Sequence, residues 1–269
     1  MRVRANGVEL HCRIDGAGDR TPWLVMCHGV ASDAGMWDGQ VAALADRFRI
    51  LRFDLRGHGE SELTPPPYTL DMLADDVHGL LLALGIRRVH WLGLSIGGII
   101  GQVFALKYPQ MPLSLVLADT ASRIPPGDLS GWEERVRLVR EQGMQGVLEL
   151  NLGRWFTPEF RRRRPDAVER IARQVLATPV DGYVGCALAV PTIDVTHRLA
   201  GISCPSLVIV GERDPTSTVA MAREIHEALP GSRLVVIPDA AHLSNIENPE
   251  AFNRALLEFF DGLRPSDEH

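Results

Sequence analysis

The stretch Val89-His90-Trp91-Leu92-Gly93-Leu94-Ser95-Ile96-Gly97-Gly98-Ile99-Ile100-Gly101 runs from an apolar strand pattern, through Gly-x-Ser-x-Gly, into small and apolar residues at helical spacing. Strand, sharp turn and helix in that order are the context of a nucleophile elbow. A serine on so tight a turn is forced into sparsely populated φ/ψ, and its neighbours must lack bulk for strand and helix to pack. Gly93 and Gly97 are those neighbours, and Gly98 and Gly101 let the helix lie close on the sheet. The helix start also points unbonded N–H groups at whatever Ser95 attacks, which favours developing negative charge. A buried serine in a Gly-rich joint would share the pentapeptide. The strand before it and the helix after it weigh toward a nucleophile.

Outward from this joint, strand and helix patterns alternate. Residues 8–14 alternate weakly after the turn signal Asn6-Gly7, so the chain opens with a hairpin. Trp23-Leu24-Val25-Met26-Cys27 is a continuous apolar run, as in a strand buried on both faces. Met36-Trp37 and residues 41–44 give a short helix, and Phe48-Arg49-Ile50-Leu51-Arg52-Phe53 the next strand. Asp54-Leu55-Arg56-Gly57-His58-Gly59 reads as a turn and Pro65-Pro66-Pro67 as a stiff connector. Leu70, Leu73, Val77, Leu80, Leu81 and Leu84 mark an amphipathic helix over 69–84, stopped by Gly85. After the elbow, Leu113-Ser114-Leu115-Val116-Leu117-Ala118 is another strand, ending at Asp119.

The alternation stops over 122–198, where 132–142, 145–155, 158–177 and 180–190 all read as helical pieces. It resumes with strands at Ser206-Leu207-Val208-Ile209-Val210 and Leu234-Val235-Val236-Ile237, and helices over 219–229 and 251–260. Such alternation predicts an α/β fold, a mostly parallel sheet with helices on both faces. Its core spans 1–121 and 199–269, with a helical cap insertion over 122–198.

Composition narrows the function. The chain has 269 residues, 45% hydrophobic and 23% charged, enough for one large domain with a real core. A net charge of −6 predicts no nucleic-acid partner. The one basic block, Arg161-Arg162-Arg163-Arg164, is expected on a solvated helix face or loop. Cys12, Cys27, Cys186 and Cys204 have neither Cys-x-x-Cys nor zinc-ligand spacing, so reduced thiols are expected. The first residues lack a signal-peptide core and no run reaches about 18 apolar residues, so a cytoplasmic protein with no membrane contact is expected.

A serine hydroxyl needs a base to become a nucleophile at neutral pH, and the base needs a group to orient it. Partners are expected where other strands end, because parallel strand ends share one sheet edge. Gly211-Glu212-Arg213-Asp214-Pro215 follows one strand and Pro238-Asp239-Ala240-Ala241-His242-Leu243 follows the last. The expected assignment is Ser95 as nucleophile, His242 as general base and then acid, and Asp214 as the orienting carboxylate. Asp119, at an earlier strand end, is the rival acid. The oxyanion needs two donors. These are expected from the N–H of Ile96 and, in the turn after the Cys27 strand, the N–H of Val30. His28 and His58 are read as structural, and nothing in the pattern calls for a metal or cofactor.

Together, His28-Gly29, Asp54-Leu55-Arg56-Gly57-His58-Gly59-Glu60-Ser61, Gly93-Leu94-Ser95-Ile96-Gly97-Gly98, Gly211-Glu212-Arg213-Asp214 and Ala241-His242 resemble the α/β-hydrolase family over nearly the whole chain. The resemblance implies that family's eight-stranded sheet and its Ser, Asp, His chain order. A closer likeness is to the 3-oxoadipate enol-lactonases of aromatic degradation (β-ketoadipate pathway). It is carried by Pro67-Tyr68-Thr69-Leu70, Leu73-Ala74-Asp75-Asp76-Val77, Arg154-Trp155-Phe156-Thr157-Pro158, Asp181-Gly182-Tyr183 and Ala241-His242-Leu243-Ser244-Asn245-Ile246-Glu247. The stretches His28-Gly29-Val30-Ala31 and Val190-Pro191-Thr192-Ile193-Asp194 depart from it.

This likeness implies hydrolysis of a small carboxylate-bearing enol-lactone, with Ser95 attacking the ring carbonyl and an enolate leaving. The substrate carboxylate calls for an arginine fork. Arg123, Arg135 and Arg154 are the candidates, with Arg137 behind them. Trp132 and Trp155 either wall the pocket or pack the cap. Two other readings stay open: a carboxylesterase, C–C bond or amide hydrolase on another small acidic compound, or a non-catalytic small-molecule receptor. The expected partner is a small-molecule substrate, and self-association is left open.

Overall fold

Asn6 and Gly7 take φ of 46° and 78°, the left-handed pair that a two-residue hairpin requires. They join β1 (Arg2–Ala5) to β2 (Val8–Asp15) antiparallel, with Ala5 opposite Val8. This computed structural model describes residues 1–16, 18 and 21–263. Then come β3 (Trp23–Cys27), α1 (Asp38–Leu44), β4 (Arg49–Phe53), α2 (Leu70–Ala83), β5 (Val89–Leu94), α3 (Ile96–Lys107) and β6 (Pro112–Ala118). Between β6 and the next strand lie α4 (Leu129–Gln142), α5 (Gln145–Trp155), α6 (Pro158–Arg163), α7 (Pro165–Ala177) and α8 (Val180–Ala189). The chain closes with β7 (Ser206–Gly211), α9 (Val219–Ala228), β8 (Arg233–Ile237), α10 (Ser244–Glu247) and α11 (Pro249–Asp261).

The eight strands form one sheet in the order β1-β2-β4-β3-β5-β6-β7-β8. The β1–β2 and β2–β4 pairs are antiparallel, and every other pair is parallel. From β3 the chain steps to β4 on one side and then to β5 on the other. That reversal opens a crevice beyond the carboxyl ends of β3 and β5, the place where open α/β sheets bind ligands. Strands β5, β6 and β7 are buried along their whole length, which is why they read as continuous apolar runs.

Helix α2 carries the expected stripe, burying Leu70, Leu73, Val77, Leu80 and Leu81. Thr69 caps it by accepting from Met72 N, and Gly85 ends it at φ 72°. Helix α11 buries Phe252, Leu256, Phe259 and Phe260 at the same kind of spacing. Residues 158–177 form two helices where the sequence read as one. Arg164 stands at φ −130°, ψ 59°, because a residue preceding proline is kept out of the α region. Pro165 then opens α7, where its missing N–H costs nothing.

Of the basic block, Arg162, Arg163 and Arg164 are exposed, and Arg161 and Arg164 pair with Glu149 and Asp166. An isolated β-bridge between Arg123 and Asp194 joins the two ends of the helical segment. All four cysteines are free. Among the described residues no single helix is long and apolar enough to cross a membrane.

Candidate active site

Ser95 sits between the last residue of β5 and the first of α3, at φ 57° and ψ −120°. A non-glycine residue holds such a conformation only when its surroundings over-determine it. Here they do. Ser95 N donates to Ala118 O at 2.9 Å, and Ser95 O accepts from Thr120 Oγ1 at 2.7 Å and from the N–H groups of Gly98 and Ile99. The glycines matter through close approach. A Cβ on Gly93 would stand 2.1 Å from Gly97 O, and one on Gly97 would stand 2.1 Å from Cys27 O. Trp91, fully buried, ties strand to helix by donating its indole N–H to Gly97 O at 3.2 Å.

The hydroxyl this turn presents is met by His242, whose Nε2 lies 3.0 Å from Ser95 Oγ. The other ring nitrogen, Nδ1, donates to Asp214 Oδ2 at 2.8 Å. Asp214 is aimed by its own loop, its Oδ1 accepting from Thr216 N at 2.7 Å and Ser217 N at 3.0 Å. His242 and Asp214 are buried, whereas Ser95 is partly exposed. An imidazole with a carboxylate on one nitrogen and a hydroxyl on the other can take the hydroxyl's proton and keep its own tautomer.

The rival acid points elsewhere. Asp119, at φ 46° just past β6, accepts from Gly211 N at 2.8 Å and from Ser244 Oγ at 2.6 Å. Burial, reinforced by the nearby Asp214 charge, drives its carboxyl well above the usual range. It braces the ends of β6, β7 and α10, and the hydrogen bonds of the imidazole go to Asp214 and Ser95 instead.

Opposite Ser95, the turn after β3 brings Gly29 close: a Cβ there would lie 3.6 Å from Ser95 Cβ. Among the described residues, the N–H groups of Val30 and Ile96 donate to no protein acceptor. Val30 lines the cavity beside Ser95. Two histidines set this turn. His28 Nδ1 donates to Gly29 O, leaving Nε2 to accept from Leu55 N at 2.9 Å. His58 Nδ1 donates to Arg56 O, leaving Nε2 to accept from Ala31 N at 3.2 Å. Burial favours the neutral ring in both, pulling His28 down and His58 down to about 3.

The end of α5 clamps the two loops that carry Asp214 and His242. Arg154 donates to Thr216 Oγ1 at 3.2 Å and to Pro215 O at 3.1 Å. Trp155 O accepts from Leu243 N at 3.1 Å. The buried Glu247 carboxylate accepts from Thr157 N at 3.0 Å, from the Thr157 hydroxyl, and from Ala241 N at 2.9 Å.

These elements enclose a cavity of about 540 Å³, counting its open mouth, lined by Ser95, His242, Val30, Trp132, Arg135, Asn151, Arg154, Trp155 and Tyr183 among others. A second lobe shares Ser95, Trp132, Arg135, Arg154 and Thr216 and reaches Ile124, Val190 and Met221. Of the expected substrate contacts, Trp132, Arg135, Arg154 and Trp155 therefore line the cavity. Arg123 does not. It is exposed and paired with Glu224 on α9, a partner 101 residues away that no local pattern reveals. Arg137 is likewise exposed and held by Glu134 and Glu141.

The sequence reading missed Asn151. Its signal was a polar residue on the buried face of α5, in register with Val147, Leu148 and Leu152. Among the described residues no group of three or more His, Cys, Asp or Glu side chains is placed to hold a metal ion.

The profile of the α/β hydrolase fold family matches residues 22–249. The chain is 36% identical over 254 residues to 3-oxoadipate enol-lactonase 2 of Acinetobacter baylyi, covering 94% of each chain. Among solved structures it resembles the enol-lactonase of Burkholderia xenovorans at 38% identity and a TM-score of 0.93, over 97% of this chain and 100% of that one. A thermophilic esterase of Thermogutta terrifontis, solved with malate bound, matches at 33% identity and a TM-score of 0.91 over the full length of both. By the sheet order, the elbow and these likenesses alike, the chain belongs to the α/β-hydrolase fold family.

Proposed function

We propose that this protein is a serine hydrolase that opens a small carboxylate-bearing enol-lactone of the 3-oxoadipate type. The observation that carries the chemistry is the 3.0 Å contact of His242 Nε2 with Ser95 Oγ, backed by Asp214. The lactone is favoured by the two enol-lactonases the chain resembles. A preference for acidic compounds is in keeping with the malate, a small dicarboxylate, bound to the related esterase.

In this reading Ser95 Oγ attacks the ring carbonyl while His242 Nε2 takes its proton. The carbonyl oxygen becomes an oxyanion that accepts from the N–H groups of Val30 and Ile96. The ring C–O bond then breaks, and the leaving enolate oxygen receives the proton from His242 and later tautomerises to the ketone. An enolate leaves more readily than an alkoxide, so the acid step is undemanding. Water, deprotonated by His242, cleaves the acyl-enzyme and returns the proton to Ser95. Residues 122–198 act as the cap that selects the substrate, on a core of 1–121 and 199–269.

The test compares kcat/KM for 3-oxoadipate enol-lactone with that for neutral esters, in wild type and Ser95→Ala. Efficient lactone opening that vanishes in Ser95→Ala supports the reading. Higher efficiency on neutral esters overturns the lactone assignment in favour of a carboxylesterase, the second reading that the esterase likeness favours. Absence of turnover on both substrates overturns the enzyme reading.

A further inference from the structure

Among the described residues, the lobe that holds Ser95 and His242 is lined by Arg135 and Arg154 and by no carboxylate, and the one carboxylate of the second lobe, Asp128, makes no hydrogen bond or ion pair with either arginine. Arg135 lies one turn after Trp132 on α4, its guanidinium over the indole ring at 4.6 Å. Its Nε is buried and, among the described residues, Arg135 makes no hydrogen bond or ion pair. Burial lowers its pKa and the neighbouring Arg154 charge adds to this, while Tyr183 and the more distant Asp128 carboxylate offset only part of it. Arg154 itself donates only to the neutral Thr216 hydroxyl and Pro215 carbonyl. Asn151, 5% exposed, adds an amide Nδ2 that is buried and outside hydrogen-bond geometry with any group, although the Tyr183 hydroxyl is close.

A half-buried guanidinium with its Nε out of water and no carboxylate in hydrogen-bond reach, beside a second cation and an unbonded amide donor, carries a cost that the protein's own groups do not offset. The cost is relieved when an anion enters. The other arginines named from the sequence have their anions already: Arg123 has Glu224, and Arg137 has Glu134 and Glu141. The contact with the Trp132 ring holds the guanidinium at the cavity wall before the ligand arrives.

We propose that Arg135, with Asn151 beside it, is the carboxylate-binding subsite of this cavity and the residue that makes the enzyme select acidic over neutral substrates. The proposal rests on the hydrolase reading only in that the carboxylate must enter the cavity that holds Ser95 and His242. Arg154 supplies long-range attraction while its own donors stay on the Asp214 loop.

The experiment uses two chromogenic esters of one chain length, mono-p-nitrophenyl glutarate and p-nitrophenyl valerate, which differ in a terminal carboxylate. Wild type should favour the glutarate ester. Arg135→Met keeps the stem over Trp132 and removes the charge. It should lower the glutarate-to-valerate ratio of kcat/KM at least tenfold, chiefly through the KM of the acidic ester. Arg135→Lys should restore part of the ratio, and the surface variant Arg137→Gln should leave it unchanged.

Binding of free glutarate to Ser95→Ala, followed by calorimetry, reads the subsite without turnover. Adding Arg135→Met should weaken it at least tenfold. Failure of wild type to hydrolyse either ester while glutarate still binds through Arg135 would remove the hydrolase reading and keep the subsite. A ratio unchanged within twofold in a folded Arg135→Met protein, or no saturable glutarate binding to Ser95→Ala, overturns the proposal.

Discussion

Replacing Asp214 by Asn swaps one atom and leaves the size of the side chain alone, yet the surrounding donors decide how the amide must sit. Oδ1 accepts from two backbone N–H groups, those of Thr216 and Ser217. The amide oxygen keeps that place, and the NH2 group is turned on His242 Nδ1. Nδ1 must then accept, so the ring proton moves to Nε2, the nitrogen 3.0 Å from Ser95 Oγ. An imidazole protonated there cannot take the serine proton. A wrong tautomer of this kind costs about 10⁴ in kcat, equivalent to about 5.4 kcal/mol.

Asp119→Asn is the internal comparison. Its amide oxygen can stay on Gly211 N, and its NH2 can donate to the Ser244 hydroxyl, which accepts as readily as it gives. That variant should keep kcat within about tenfold of wild type. The assay is steady-state hydrolysis of p-nitrophenyl acetate and of the enol-lactone by both variants, with thermal melts to show that each is folded. A folded Asp119→Asn that loses activity, beside an Asp214→Asn that retains more than a tenth of it, would refute the assignment of the acid.

Three further outcomes are expected. Gly97→Ala puts a Cβ 2.1 Å from Cys27 O, against backbone that cannot rotate away; at about 3 kcal/mol for such overpacking, Tm should fall by roughly 6–12 °C, and an unchanged Tm would contradict the packing argument. His58→Phe removes the acceptor for Ala31 N at similar ring size, whereas His58→Gln can supply one; kcat should fall by about ten- to a hundredfold with KM held in the Phe variant and recover in the Gln variant, and equal losses in both would assign His58 a packing role only. Burial pushes His58 down to about 3 and His90 down to about 4. Each therefore stays neutral in the native protein while the unfolded chain takes up a proton near pH 6.5. Their contribution to stability is complete above that pH and is lost as pH falls, about 2 kcal/mol each by about pH 5. Urea midpoints near pH 7.5 and pH 5 should show the loss, and His90→Gln should shrink it by about 2 kcal/mol; an undiminished loss would remove His90 from the account.

Much of this was legible in the chain because the decisive signals are local. The elbow declares itself through the spacing of Gly93, Ser95 and Gly97; Gly93 is kept small by Gly97 itself, four residues on, and Gly97 by Cys27 on the neighbouring strand. The hairpin at Asn6-Gly7 and the buried runs of β5, β6 and β7 are likewise local. The choice between Asp119 and Asp214 was not local. Both follow neighbouring parallel strands. Only the loop beyond each strand, and Ser244 far along the chain, turns one carboxylate to the imidazole and the other away. Arg123 lies outside the cavity for the same reason, since Glu224, its partner, is brought to it by tertiary packing. The break at Arg164, by contrast, was readable from Pro165 alone.

The hold that residues 154–157 exert on positions 215–216, 241, 243 and 247 makes the roof of the cavity and the placement of His242 a single mechanical unit. A transplanted roof from another hydrolase would bring a new pocket together with a displaced imidazole, unless the grafted segment carries the same anchor points. Redesign of substrate choice has freer ground on α4 and α8, which make no hydrogen bond to those loops among the described residues.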